Sequence, residues 1–361
     1  METNSRSEYA LIFGADKFWN ALVTDIQQAR HRIYIQTMSF EGDAIGRQLS
    51  YYLLLKSDID RRLCIDDYSN HVINDSVLCA PSNWFNQSLQ VEARQTKQLI
   101  KQMQESGIRI HITNPMGLAL YRYPARNHKK LIIIDDVCYI GGINFCEHNF
   151  QWTDMMLRCS DSEVVECLAG DFVNTQSGIN QSRISHLSNM DIYFLNGIKS
   201  KAIYQTIFHE LEQAKQLTII SPYISYPALY YVRRAAQNGA KVTLYTPVNN
   251  NKSIFMHYLF YELRGLKNIT IQGYYGNNSH LKAILINQDT LFLGSSNFDI
   301  VSYYVEQELI ARIKTPSVIK AFKDILDYYH TQSAPIAYGS PVRGLINKTA
   351  IRCAELWCRM I

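Results

Sequence analysis

The chain has 361 residues, 47% of them hydrophobic, which allows one large domain or two medium ones. Its 36 basic and 32 acidic residues give a net charge of +4, too small to indicate nucleic-acid binding by charge alone. The eight cysteines show no CxxC spacing, so we predict free thiols in a reducing compartment rather than a disulfide framework.

Helices and strands are predicted to alternate along both halves of the chain. Phe18, Leu22 and Ile26 share one face at helical spacing, which indicates an amphipathic helix near the start. The first half then reads as helix, strand, helix and strand, at residues 16–30, 32–38, 44–55 and 61–66. The second half repeats this order at residues 201–215, 217–222, 228–238 and 241–246.

The repeated order indicates an internal duplication. The stretch Asp25-x-x-Gln-Ala-Arg of the first half corresponds to Glu210-x-x-Gln-Ala-Lys of the second. The first half carries extra residues, which we place in loops on the active-site side around 70–92 and 116–125. Strands that alternate with helices predict an α/β fold with helices over a mixed sheet.

The duplication also suggests how the chain divides. We expect a first half over residues 1–180 and a second half over residues 181–335, joined by a polar linker around 175–187. Residues 336–361 have no counterpart in the first half and are predicted to form a helical tail.

Two copies of one short pattern carry the strongest functional signal. Each copy begins with His-x-Lys, continues into an apolar run with strand character, and reaches an asparagine after a glycine turn. The polar residues are His128, Lys130 and Asn144 in the first copy and His280, Lys282 and Asn297 in the second. Side chains alternate along a strand, so each histidine shares a face with its lysine. Such a set suits chemistry at an anionic phosphorus centre.

A histidine in this role needs an acidic partner that fixes its tautomer and stabilises its charged form. Asp154 follows the first histidine at nearly the same distance as Glu308 follows the second. The near-equal spacings from histidine to acid favour the interpretation of these two acids as the orienting pair, rather than as ordinary surface carboxylates.

The duplicated pattern resembles the signature of the phospholipase D superfamily, His-x-Lys-x4-Asp followed by Gly-Gly/Ser-x-Asn, present twice. The first copy matches fully, with Asp135, whereas the second has Asn287 in place of the aspartate. This position falls on the opposite strand face from the histidine, so we interpret both residues as structural. The resemblance implies two similar α/β halves about a pseudo-twofold axis, with the active site at their interface.

Flanking residues such as Trp152 and Asp299 look like the bacterial cardiolipin synthase branch of that superfamily, with two departures. Val301 stands where the branch usually has arginine, and Glu306 where it usually has asparagine. The resemblance implies phosphodiester transfer without a metal or other cofactor, on a phospholipid met at the membrane surface. The protein would then be cytoplasmic and peripherally membrane-associated, with no obligatory nucleic acid; the sequence does not predict its oligomeric state.

The same resemblance implies the roles of the site residues. The first-half histidine, His128, attacks phosphorus to give a phosphohistidine, and His280 acts as general acid and then base. The lysines and asparagines hold the phosphate, and the acceptor can be water or a lipid alcohol. Two alternatives stay open: a nuclease that uses the same residues, and a non-catalytic membrane- or partner-binding module on the same fold.

The predicted tail helix carries an apolar stripe. Ile346, Ala350, Cys353, Trp357 and Met360 share one helical face, and basic residues lie outside it. We expect the stripe to pack onto the α/β body; the alternative is contact with a membrane surface.

Overall fold

The computed structural model describes residues 8–198, 200–249, 252–336 and 341–361. Residues 1–7 of the predicted first half and 337–340 of the predicted tail lie outside the described residues.

The first half forms a seven-stranded mixed sheet with helices against it, and β4 and β5 form a separate hairpin. Its strands are β1 (Tyr9–Phe13), β2 (Arg32–Thr37), β3 (Asp60–Asp66), β4 (Val72–Ile73), β5 (Ser76–Val77), β6 (Arg109–Thr113), β7 (Leu131–Ile134), β8 (Val137–Gly141) and β9 (Met155–Cys159). Its helices are α1 (Ala15–Gln28), α2 (Ala44–Leu54), α3 (Tyr68–His71), α4 (Gln87–Glu105), α5 (Glu147–Phe150) and α6 (Ser162–Gln176).

The second half forms a second mixed sheet. Its strands are β10 (Arg183–His186), β11 (Met190–Leu195), β12 (Gln216–Ile220), β13 (Lys241–Pro247), β14 (Ile269–Tyr274), β15 (Ala283–Ile286), β16 (Thr290–Gly294), β17 (Glu308–Ile313) and β18 (Ser333–Pro335). Its helices, including the tail helix, are α7 (Lys201–Gln213), α8 (Ala228–Gln237), α9 (Ser253–Leu263), α10 (Ile300–Tyr304), α11 (Pro316–Thr331) and α12 (Pro341–Met360).

The predicted helices and strands of both halves are confirmed, with small shifts at their ends. The first helix ends at Gln28, two residues before the predicted end, because Ala29 has extended backbone angles (φ −58°, ψ 137°). The backbone N–H groups of Arg30, His31 and Arg32 then turn toward the carboxylate of Asp135. A partly buried side chain thus fixes where the helix stops and β2 begins.

The two sheets have the same strand order, which confirms the duplication. The first runs β6-β3-β2-β7-β8-β9-β1, and the corresponding strands of the second run β14-β13-β12-β15-β16-β17-β11. In each sheet, the first three strands of this order pair in parallel, and the four pairings that follow are antiparallel. Strands β10 and β18 extend the second sheet at its two edges.

Two helices share the layer between the sheets, and the other long helices lie on the outer faces. One buried cluster joins side chains of both sheets, such as Leu131 and Leu285, with side chains of α6 and α11, such as Leu168 and Phe322. Separate buried clusters lie between each sheet and its outer helices. This layering explains why the central strands are apolar on both faces rather than alternating.

We propose the division into residues 1–180, 181–335 and 336–361 as the domain organisation. The first sheet draws its strands from residues 9–159 and the second from residues 183–335. The linker is shorter than predicted, since α6 extends to Gln176 and β10 starts at Arg183.

The extra residues of the first half are more ordered than expected. The stretch 70–92 contains the end of α3, the β4–β5 hairpin and the first turns of α4, so the loop prediction is wrong there. Asp75 in this hairpin, and Tyr123 and Pro124 in the second extra stretch, line the cavity described below. Both stretches therefore lie on the active-site side, as predicted.

Candidate active site

A cavity of about 250 Å³ lies between the two halves and brings the two sequence motifs together. His128 and Asn144 line it from the first half, and His280 and Asn297 line it from the second. Each histidine lies three residues before a central strand, β7 or β15, so the strands fix where the imidazoles enter the cavity.

The two lysines lie behind the histidines and are buried. Lys130 Nζ donates to the backbone carbonyl of His128 (2.8 Å), and Lys282 Nζ donates to that of His280. Each lysine thus supports the turn of backbone that carries its own histidine, while its charge stays inside the site.

Short backbone contacts join the halves next to the histidines. The His128 amide donates to the Gln307 carbonyl, and the His280 amide donates to the Thr153 carbonyl, both at 2.9 Å. The residue after each of these carbonyls is an acid, Glu308 or Asp154. The interface backbone therefore places an acid of one half beside the histidine of the other.

The acids pair with the histidines across the interface. His128 Nδ1 lies 3.0 and 3.1 Å from the Glu308 oxygens, and His280 Nδ1 lies 2.9 Å from Asp154 Oδ2. A carboxylate only accepts hydrogen bonds, so each Nδ1 carries a proton and each Nε2 keeps a lone pair. The structure brings both predicted acids to the histidines, and the partner comes from the opposite half.

Each acid is held by contacts of its own half. Asp154 Oδ1 accepts from the Met155 amide (2.8 Å), and a Cβ at Gly142 would lie 2.4 Å from Asp154 Oδ2. Only glycine leaves room for this carboxylate. The position equivalent to Gly142 in the second half is Ser295, whose hydroxyl donates to Glu308 Oε2.

Burial dominates the electrostatics of the site. Burial, and then the charge of Lys130, lowers the pKa of His128 well below its usual range; burial and the charge of Lys282 do the same for His280. Burial lowers the pKa of Lys130 to about 8 and that of Lys282 to about 7, and raises that of Asp154 to about 6. At neutral pH both imidazoles are neutral, which suits a nucleophile.

The two asparagines differ in their contacts. Asn144 Oδ1 accepts from Thr37 Oγ1 and the Ser39 amide, both at 3.2 Å, and its Nδ2 donates to Asn149 Oδ1 (2.8 Å). These contacts use the amide oxygen and one of the two amide N–H donors of Asn144. Asn297 Oδ1 is buried without a hydrogen-bond partner among the described residues.

Asp135 and Asn287 lie away from the cavity, at the turns after β7 and β15. Asn287 Oδ1 accepts from the amides of Lys215 (2.9 Å) and Gln216 (3.1 Å), the counterpart of what Asp135 does before β2. Both have positive φ, 46° and 48°. Because an amide oxygen performs this structural task, the change from aspartate to asparagine in the second copy does not alter the cavity.

The surroundings of Glu308 were not predicted from the sequence. Ser302 Oγ lies 2.7 Å from Glu308 Oε1 and 3.0 Å from Glu306 Oε2 and shares its one proton between them, so three side chains form one buried network beside His128. Glu306 and Val301, the two departures from the cardiolipin synthase branch, both line the cavity. Burial raises the pKa of Glu306 to about 7, which makes this unusual residue part of the site's electrostatics.

The tail helix α12 forms part of the cavity wall, through Ala354, Trp357 and Cys358. It packs against α9 and α10. The face that packs contains Gly344, Ile351, Glu355 and Cys358, which are buried.

The expectation that the apolar stripe of the tail packs onto the body is therefore wrong. Its members Ile346, Ala350, Cys353 and Met360 are exposed, and Trp357 is 39% exposed at the cavity edge. The packed face contains a polar residue, Glu355, which accepts hydrogen bonds from Tyr304, Arg352 and Arg359. Apolar spacing alone did not identify the packed face of α12, because Glu355 is held on that face by hydrogen bonds and ion pairs.

Comparison with known proteins agrees with this geometry. A family model described as "Cardiolipin synthase, PLD-like domain" matches residues 22–175 and 207–329, which together contain every motif residue described above. The chain belongs to this family.

Individual members of the cardiolipin synthase, PLD-like family are distant in sequence. The minor cardiolipin synthase ClsB of Bacillus subtilis is 24% identical, with 86% of this chain and 78% of that protein covered. Cardiolipin synthase 1 of Bacillus cereus is 21% identical, with 99% and 72% covered. The crystal structure of phosphatidylserine synthase from Haemophilus influenzae has a TM-score of 0.70 at 14% identity and covers 98% of this chain and 95% of that one. This structural likeness shows the fold.

Membership of the phospholipase D superfamily near its cardiolipin synthase branch is thus confirmed, and the protein is an enzyme of the phospholipase D type. In the part of the chain that the structure describes, every helix is too short or too polar to cross a bilayer.

Proposed function

We propose that this enzyme transfers a phosphatidyl group from one phospholipid to an alcohol through a phosphohistidine intermediate. The observation that carries the proposal is the pair of crossed histidine–carboxylate contacts on one cavity, His128 with Glu308 and His280 with Asp154. Two imidazoles with bare Nε2 atoms on opposite walls suit a reaction in which one attacks phosphorus while the other serves the leaving group.

In the first step, His128 Nε2 forms a bond to phosphorus and the bond from phosphorus to the head-group oxygen breaks. The departing oxygen takes a proton from His280 Nε2. Because the resting His280 is neutral, the enzyme must gain this proton with the substrate. The anionic phosphodiester opposes the charges of Lys130 and Lys282, so its binding raises the pKa of His280.

In the second step, the acceptor alcohol gives its proton to His280 Nε2 while its oxygen attacks phosphorus. The bond between phosphorus and His128 breaks, which completes the transfer. His280 then releases the proton as the anionic product leaves, which restores the resting enzyme. The buried lysines and the second N–H of Asn144 stabilise the negative charge that gathers on the non-bridging oxygens.

One asymmetry between the two pairs supports His128 as the nucleophile. Glu308 accepts from two hydroxyl groups, Ser295 and Ser302, besides the imidazole, whereas Asp154 accepts only the Met155 amide among the hydrogen bonds described. Hydroxyl donors spread the negative charge of Glu308 and weaken its support for an imidazolium. Asp154 therefore stabilises a protonated His280 better, which fits the general acid.

The cavity and its rim favour a lipid over a nucleic acid. The cavity lining mixes carboxyl groups with cations, so it lacks the uniformly basic surface that binds a polyanion; the carboxyl groups are Asp75, Asp299 and Glu306, and the cations are Arg126 and Lys252. Aromatic side chains are exposed in the groove next to the cavity, among them Tyr121 (49% exposed) and Trp357. A bilayer or a lipid tail suits such a rim, so we propose a peripheral contact with the membrane.

The decisive experiment supplies the purified protein with labelled phosphatidylglycerol in vesicles, and separately with single-stranded DNA. We expect cardiolipin and glycerol from the lipid and intact DNA. His128→Ala and His280→Ala should each abolish transfer, because each step uses both imidazoles. Rapid quenching in denaturant at neutral to alkaline pH, where the phosphorus–nitrogen bond survives, followed by peptide mapping should find the phospho-adduct on His128. An adduct on His280 would reverse the roles, and cleavage of DNA alone would favour the nuclease.

A further inference from the structure

A second cluster of ligand-type side chains lies beside the active site, in the first half. Glu41 follows β2, Cys146 and His148 lie at the start of α5, and one ligand atom of each falls within 4.8 Å of the others. Asp75, in the turn of the β4–β5 hairpin, approaches the same histidine, with Oδ1 3.9 Å from His148 Nε2. These residues belong to three separate segments that the fold brings together.

The contacts inside the cluster are incomplete. Glu41 is 1% exposed; its Oε1 accepts from the Asn74 amide (3.2 Å), but its Oε2 has no hydrogen-bond partner among the described residues. The buried Nδ1 of His148 likewise has none in the described part of the chain. These two atoms lie 3.8 Å apart, too far for a hydrogen bond. Buried polar atoms are normally satisfied, so this gap calls for an occupant.

Further carboxyl groups surround the cluster. Asp43 and Glu92 each bring a carboxyl oxygen within 4.8 Å of that of Glu41, and Asp75 lies on the far side of His148. The thiol of the cluster, Cys146 Sγ, lies 3.8 Å from His148 Nε2, whereas Glu41 faces Nδ1, the other ring nitrogen, so the imidazole must turn for one ion to reach both. Carboxyl groups, a thiol and an imidazole at these distances are the ligand types of a divalent transition metal.

We propose that Glu41, Cys146 and His148 bind a divalent metal ion of the zinc class, with Asp75 as a further carboxylate on the hairpin side. Zinc at about 2.3 Å from sulfur and about 2.1 Å from nitrogen puts these two atoms about 3.6 Å apart at the tetrahedral angle. The 3.8 Å between Cys146 Sγ and His148 Nε2 needs little adjustment to reach this. Binding forms the metal–sulfur bond and releases the thiol proton to solvent.

The position of this site suggests what the ion does. The ring of Trp152 lies 5.4 Å from the His148 ring on one side and 5.1 Å from the His280 ring on the other. An ion on His148 fixes this imidazole, and through Trp152 it limits the movement of the second histidine of the active site. It also ties the β4–β5 hairpin, which carries Asp75, to the cavity wall. The ion would thus position the site and take no part in the transfer itself.

The test measures metal binding directly, with the full-length protein. After dialysis against a chelator, the protein is titrated with Co²⁺ and followed by the thiolate-to-cobalt absorption; zinc content is measured by mass spectrometry after dialysis against Zn²⁺. We expect one ion per chain for the wild type and for Cys79→Ser, a control that removes an exposed thiol of the same half. Cys146→Ser should lose the thiolate absorption.

His148→Gln provides a second variant that tolerates substitution, since this side chain is 20% exposed. It should weaken Zn²⁺ binding by roughly tenfold or more and abolish the rise in thermal unfolding midpoint that Zn²⁺ causes in the wild type. The proposal is overturned if the wild type shows no thiolate absorption, or if Cys146→Ser or His148→Gln binds the metal as the wild type does. None of these readouts depends on phosphatidyl transfer, so they can fail without affecting the proposed function.

Discussion

The crossed pairs predict that replacing the two acids by their amides will have very different effects. In Asp154→Asn, the side-chain oxygen must still accept from the Met155 amide, which lies 2.8 Å from Oδ1, so the NH₂ group faces His280. Contact with Gly142 leaves the side chain little room to turn. A donor opposite Nδ1 moves the imidazole proton to Nε2, which is the wrong tautomer for a base in the second step.

In Glu308→Gln, the same replacement is easier to accommodate. The NH₂ group can face Ser302, whose hydroxyl lies 2.7 Å from Oε1 and can rotate to accept, while the remaining oxygen still accepts from His128 Nδ1. The tautomer of His128 is kept. The variant loses only the extra stabilisation that a charged acceptor gives the hydrogen bond, about 1–2 kcal/mol. This corresponds to a loss of about 10-fold in rate.

We therefore expect kcat for transfer from labelled phosphatidylglycerol to fall about 10³- to 10⁴-fold in Asp154→Asn, or about 4–5 kcal/mol of barrier, and about 10-fold in Glu308→Gln. Thermal unfolding of both variants, measured in parallel, separates lost catalysis from lost folding. Equal losses in two folded variants, or a larger loss in Glu308→Gln, would refute the assignment of tautomers from these contacts.

Three further outcomes can be measured. Asn287→Asp should leave kcat within a few-fold because the residue lies at a structural turn, whereas Lys282→Ala should remove most activity; a large gain in Asn287→Asp would show a degraded second motif. Glu306, with its pKa raised to about 7, is neutral below that pH and anionic above it, so it repels the phosphodiester as pH rises. Glu306→Gln should therefore reduce the fall in kcat/KM above pH 7, and an unchanged profile would contradict this. Ile346→Asp, on the exposed face of α12, should weaken binding to anionic vesicles, measured by sedimentation, while Leu55→Asp, at the equally exposed residue that follows α2, should not; equal effects would remove α12 from the membrane contact.

The parts of the site that repeat were predictable from the sequence. Both copies of His-x-Lys, the asparagines after the glycine turns and the near-equal offsets of Asp154 and Glu308 are visible as patterns. The division into two similar α/β halves was also predictable, since the same alternation of helices and strands occurs twice. A motif that occurs in both halves is easier to assign than one that occurs once, because each copy supports the interpretation of the other.

The features of the chain that have no counterpart in the other half were harder to predict. The offset of an acid from a histidine in its own half does not reveal that its partner lies in the other half, because that depends on how the halves dock. The tail helix has only one copy, and its packed face contains Glu355, which apolar spacing does not detect. The β4–β5 hairpin replaced an expected loop because a stretch this short carries little periodic signal.

The crossing of the pairs also explains how the two halves depend on each other. The contacts between the halves join Asn127 to Gln307 and Thr153 to Ser279, and each of these four residues directly precedes a histidine or an acid of the site. Side chains alternate along extended backbone, so a slip of one residue at either contact would turn an acid away from its histidine. The docking of the halves therefore sets the tautomer of both imidazoles, and a folded half without its partner would keep its histidine and lysine yet lack the carboxylate that orients them.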